Sequence, residues 1–158
     1  MKKYIRLVAV ASLVLCTAAA KKPALDLRVH ATGTEAEAPS FAFPATLING
    51  TPVFLQRMPL LTQREVNSIF PFNAADGSQG VYLKLGAHGS RLLQQHTSAR
   101  GGSMLVVMLN GRQVSNLLVD RPVDDGIVCI PRGLTADDVQ FLTTVFPVTG
   151  QEGKKKNR

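Results

Sequence analysis

Apolar and polar residues alternate strictly in "ALDLRVHA", with Leu25, Leu27, Val29 and Ala31 on one side and Asp26, Arg28 and His30 on the other. A period of two predicts a half-buried strand, with His30 on its outward face. "TGTEAEAPS" is small and polar and reads as a loop. "FAFPATLINGTPVFLQ" sets apolar stretches about Asn49-Gly50, a pair that tolerates the positive φ angles of a type I′ hairpin turn. Pro44 and Pro52 lack a ladder donor, which places these strands at an edge or beside the turn. Asn49-Gly50-Thr51 also fits a glycosylation sequon, but the hairpin accounts for the same residues. In "LLTQREVNSIFPF", Thr62 and Glu65 form a capping box. Val66, Ile69 and Phe70 give that predicted helix an apolar face, and Pro71 stops it.

The second half continues in the same manner. "VYLKLG" alternates Val81, Leu83 and Leu85 against Tyr82 and Lys84, so it reads as a strand. "AHGSRLLQQHTSA" reads as a helix with Leu92 and Leu93 inward, weakened by Gly89. "MLVVMLNGRQVSNLLVD" predicts a second hairpin over residues 103–110 and 112–120, turning at Asn110-Gly111. Its first strand is apolar almost throughout, which predicts a central position covered on both faces. "IVCI" is a short strand. In "GLTADDVQFLTTVF", Thr135 caps a helix and Asp137 and Asp138 favour its N-terminal dipole. Its predicted buried stripe is Val139, Leu142, Val145 and Phe146. Two hairpins predict an α+β domain, a mainly antiparallel sheet with about three helices packed on one side.

The ends of the chain alter the meaning of its charge. "MKKYIRLVAVASLVLCTAAA" has a basic start, an apolar run over residues 7–15, and small residues at Ala18, Ala19 and Ala20. That order reads as a signal peptide over residues 1–20, with cleavage after Ala20. The run is short of the ~20 apolar residues of a membrane span. Lipoprotein anchoring at Cys16 is disfavoured because Leu15 before it is large. Residues 21–150 form one domain, and "GQEGKKKNR" leads into a disordered basic tail over 151–158. Of the net charge of +7, Lys2, Lys3 and Arg6 supply +3. Lys154, Lys155, Lys156 and Arg158 less Glu152 supply +3, which leaves +1 for residues 21–150. A nucleic-acid partner, which calls for a basic folded face, is therefore not expected. Membrane contact through the tail is the less favoured reading beside a plain solubilising role.

Candidate chemistry is sparse. His30, His88 and His96 are the three histidines. His88 and His96 stand too far apart for the i, i+3 or i, i+4 spacing of helical metal ligands. All three read as surface residues. Asp120, Asp124 and Asp125 surround Pro122 and Gly126, which is turn chemistry and not a calcium loop. Ser90 lies near His88 without a nucleophile elbow. Cys129, the lone Cys of residues 21–150, sits in an apolar run and reads as buried and inert. No catalytic, cofactor-binding or metal residue is assigned, and the domain reads as non-enzymatic.

The order of elements resembles the periplasmic head subdomain of the protein-export subunit SecD over residues 58–146. The resemblance is carried by "MPLLTQREV" (Pro59, Thr62, Val66), "VYLKLGAHGSRLLQQHT" (Val81, Leu83, Leu85, Gly89, Leu93, Thr97) and "GGSMLVVMLNGRQVSNLLV", with Asn110-Gly111 where the family has Asp-Gly. "PVDDGIVCIPRGLTADDVQFL" (Gly126, Ile130, Gly133, Thr135, Asp138, Leu142) completes the series. It departs from the family where Asn116 and Leu117 replace a Pro after the second hairpin strand, and "IPRG" is one residue long. No run outside the first twenty residues is long enough to be one of SecD's membrane helices, so motor activity is not implied. What the resemblance implies is binding of unfolded polypeptide, for which an open strand edge offers a physical route. The sequence therefore reads as an exported envelope module, periplasmic or secreted, that binds a polypeptide or an envelope protein. The alternatives are an assembly subunit of an envelope complex and a small hydrolase with a spatially assembled site.

Overall fold

The computed structural model describes residues 24–37 and 39–149. The expected signal peptide, Cys16 and the basic tail lie outside the described residues. The strands are β1 (Leu27–Gly33), β2 (Ala42–Thr46), β3 (Pro52–Gln56), β4 (Leu61–Thr62), β5 (Val66–Asn73), β6 (Gln79–Leu85), β7 (Met104–Leu109), β8 (Arg112–Leu118) and β9 (Ile127–Leu134). The helices are α1 (Ala87–Ala99) and α2 (Ala136–Val145). The strands form two sheets, ordered β2-β3-β1-β7-β8 with β4 also on β1, and β5-β6-β9. All these strand pairings are antiparallel. The α+β class holds, with two sheets in place of one.

The expected count of three helices does not hold: among the described residues there are two α-helices. The capping box over Thr62 and Glu65 forms, yet it closes only a 3₁₀ turn, Gln63–Glu65. The Thr62 backbone N–H donates to Glu65 Oε2 at 2.6 Å. Beyond it "VNSIFPFN" is rich in β-branched and aromatic residues, which favour a pleated surface. It becomes β5, with a bulge between Val66 and Ser68 that lets Val66, Ser68 and Ile69 all turn inward. Pro71 is tolerated because β5 is the outermost strand of its sheet.

One core lies between the sheets and the helices. β1 and β7 give it Leu27, Val29, Leu105 and Val107, and β6 and β9 give Val81, Leu83, Val128 and Ile130. Leu93 enters from α1, and Leu142 and Phe146 enter from α2 and its C-cap. Val145 departs from the expected stripe and is 46% exposed. Thr135 caps α2 as expected, and Asp138 closes the N-terminus reciprocally by accepting from the Thr135 N–H.

β7 is central and covered on both faces, with Leu105, Val106 and Val107 buried in succession. A second, smaller cluster of Leu47, Leu55 and Val106 explains the covering. The β2–β3 hairpin lies over the face of β1 and β7 that points away from the main core. This corrects the reading of His30 as a surface residue. His30 is 7% exposed, its Nδ1 lies 2.8 Å from the Gln56 carbonyl, and Phe43 meets its ring edge-on.

The two Asn-Gly pairs differ. Asn110 and Gly111 both have positive φ (50° and 78°), and Leu109 pairs with Arg112, so the turn is the expected two-residue type I′. At the other hairpin only Gly50 has positive φ, at 84°. There Gly50 N–H donates to the Leu47 carbonyl and Leu47 N–H to the Thr51 carbonyl, which makes a longer loop than the type I′ turn expected.

Candidate functional site

β8 and β9 each lie at one edge of their sheet, and neither has a ladder partner on its outer side among the described residues. They meet at Gly133. A Cβ there would lie 1.8 Å from the Val114 carbonyl oxygen, and φ is +94°, so the contact requires glycine. Arg112 bolts the same point. One Nη donates to the Gly133 carbonyl at 3.2 Å, and the other pairs with the Asp138 carboxylate at the start of α2.

Away from Gly133 the strands part, and the loop over residues 119–126 joins them. The space between is a cavity of about 780 Å³. Leu117 and Leu118 form one wall, Ile127, Cys129 and Pro131 the other, with Val123 from the loop. Leu118 is 62% exposed and Ile127 38%. Asp120, Asp124 and Asp125 stand at the loop end with Arg121. Thr97 of α1 anchors the loop, accepting from Val123 N–H at 2.9 Å while donating to the Leu93 carbonyl. The groove opens onto the outer face of the smaller sheet, where Phe72 packs on Tyr82 at 4.7 Å between ring centres and Phe70 lies beside them.

The residues weighed for catalysis do not come together here. No histidine lines the cavity, and neither does Ser90. Ser90 sits against Gly126, where its Oγ fills the space a Cβ would take. His96 approaches Ser103 Oγ at 3.5 Å, and burial, then the Arg100 charge, hold it below the usual histidine range. His88 is exposed on α1. Among the described residues no three His, Cys, Asp or Glu side chains gather to hold a metal ion.

Cys129 is half-buried, not buried as expected. β9 alternates, so Val128 and Ile130 turn inward while Cys129 faces out opposite Tyr82. Burial pushes its thiol up, and a hydrogen bond with Tyr82 only partly offsets this. The turn reading holds for Asp125, whose Oδ1 accepts from Ile127 N–H at 2.9 Å. The reading of the three aspartates as turn residues missed the groove they border. Adjacent Leu117 and Leu118 were the available signal, because alternation must turn one of two consecutive leucines outward.

No protein-family model and no curated protein matches this chain. In structure it is similar to a membrane component, SecDF, that enhances protein export, at 15% identity and a TM-score of 0.53 over 76% of this chain. A structure of SecDF in a super-membrane-facing form is similar over 75% of this chain, at 21% identity and a TM-score of 0.49. The chain spans 59% of the first of these and 17% of the second. The protein is thus an antiparallel α+β module. Its fold is of the SecD periplasmic head type, as the motif series implied. Among the described residues no helix is long and apolar enough to cross a membrane.

Proposed function

We propose that residues 21–150 form an exported, non-enzymatic module of the bacterial cell envelope that binds extended polypeptide along the groove between β8 and β9. The observation that carries this is the pair of open strand edges flanking one apolar-walled groove. An extended chain laid there gains main-chain hydrogen bonds from an edge and places alternate side chains against Leu118 or Ile127. The charged start and apolar run of residues 1–20 support export, and the fold likeness to SecDF supports a place beside translocating polypeptide.

The test is titration of a labelled, alternating apolar-polar peptide against the full chain, followed by fluorescence anisotropy. Saturable binding is expected, and it is lost when the peptide backbone is N-methylated at alternate residues. Equal binding of the methylated peptide excludes augmentation. A second reading, assembly into an envelope complex, is favoured by the apolar outer face of Phe70, Tyr82 and Ile127, exposed by 50%, 40% and 38%. Light scattering separates the two, because a strict monomer that binds peptide removes self-assembly.

A further inference from the structure

We infer that the groove selects extended segments in which a lysine or arginine precedes or follows a short alternating apolar stretch. The inference rests on the groove being a peptide site. Its length sets the stretch. The β9 wall runs from Ile127 to Pro131 and the far end is closed where Gly133 touches Val114. Five residues at about 3.3 Å each give a track of roughly 17 Å. Only alternate side chains of the occupant meet the walls, so two or three apolar residues fill it.

Charge sets the flank. The loop end carries Asp120, Asp124 and Asp125 against Arg121, a balance of −2 among the lining residues, with Lys84 cross-strand from Ile127 nearby. Residues 24–149 carry nine Lys and Arg against ten Asp and Glu, so this end concentrates negative charge on a nearly neutral domain. Among the described residues none of these aspartates takes part in a salt bridge; the ion pairs are Asp26–Arg28, Glu37–Arg100 and Asp138–Arg112. Asp125 spends one oxygen on the Ile127 N–H. Asp120 and Asp124 are exposed. A cation on the occupant reaches them without displacing an internal partner, whereas an anion there meets repulsion. The closed end lacks this free negative charge: Arg112 there is paired with Asp138, and the Arg132 charge acts on Asp76. The aspartates at the loop end therefore fix the end at which the occupant's cation lies.

The experiment compares two dye-labelled hexapeptides of alternating valine and serine, one with a terminal lysine and one with glutamate in its place. Each is titrated against the full chain and against D120N/D124N. The expected result is about tenfold tighter binding of the lysine peptide at low salt. That preference falls to within about twofold in the folded double variant. It also falls in the unaltered protein as salt is raised tenfold, which needs no variant to fold. Equal affinity of the two peptides overturns the charge selection while leaving the groove as a peptide site. A preference that survives in the folded variant, or that ignores salt, also overturns it. Binding of neither peptide removes the groove reading itself.

Discussion

Two glycines with nearly the same backbone angle should respond differently to the same substitution. Gly77 and Gly133 have φ of +80° and +94°. Gly77 sits in an open turn with nothing within 4 Å of a built Cβ. Gly77→Ala should therefore cost only the left-handed penalty, about 1 to 2 kcal/mol. Gly133→Ala adds a collision with the Val114 carbonyl that no rotamer relieves, so about 3 kcal/mol or more is expected. Urea unfolding midpoints of the two variants give the comparison. Gly89 obeys a related logic. It weakens α1 by propensity, yet a Cβ there would lie 2.7 Å from Glu65 Cβ, so the helix gives up propensity to seat the capping turn. Glu65→Ala removes the carboxylate that receives the Thr62 N–H and hydroxyl, and a loss of about 1 kcal/mol is expected by the same measurement.

At the scale of elements, the β2–β3 hairpin is the part most separable from the rest. It is held by a small cluster around Leu47, Leu55 and Val106, by its ladder to β1 at Thr32 and Gly33, and by His30. His30→Ala removes the ring under Phe43 and the hydrogen bond at the Gln56 carbonyl. Amides of β2 and β3 should then exchange about tenfold or more faster, while those of β1 and β7 facing the main core keep their protection. Equal acceleration at Val107 would mean that the hairpin does not open separately. The hairpin itself was legible in the sequence, but its placement over β1 and β7 was not. The β7–β8 hairpin could be read from its turn residues, α2 from its cap and period, and β6 and α1 from period alone. β5 could not, because a real capping box preceded a stretch whose propensity favoured strand, and a bulge disrupted its alternation. His30 had the pattern of an outward residue, and only the long-range return of β2 and β3 covers it. The groove was illegible for the same reason: the open edges of β8 and β9 belong to different sheets, and no local pattern shows that they face each other.

For the whole molecule, acid should act in two separable steps. Burial and then the Arg100 charge lower His96, so the unfolded chain binds this proton more readily than the folded one. The stability linked to His96 is present above the ordinary histidine pKa of about 6.5 and is lost as pH falls below it toward the depressed folded value. The second step belongs to carboxylates: Glu65 and Asp138 at the two caps, and Glu37 and exposed Asp76, lowered by hydrogen bonds from Arg100 and Ser78. Burial works to raise Glu65, but hydrogen bonds from the Thr62 hydroxyl and backbone outweigh it and hold the group below its usual range. At Asp138 burial is likewise outweighed, by Thr135 and by Arg112. Their contribution is present above the ordinary carboxylate range near about 4 and is lost as pH falls through the lowered values. Both steps have the same sign, so stability should decline monotonically from pH 7.5 to 3. His96→Gln should flatten the upper step and leave the lower one, whereas Glu65→Gln should reduce the lower and leave the upper. Chemical denaturation at half-unit pH intervals reads this directly. A His96→Gln variant that keeps the full decline between pH 7 and 5.5 would assign that step to another group. Because Arg112 joins Asp138 to the Gly133 carbonyl where β8 meets β9, the lower step should also loosen the closed end of the groove. Exchange of the Gly133 and Leu134 amides should therefore rise below pH 4 before global unfolding begins.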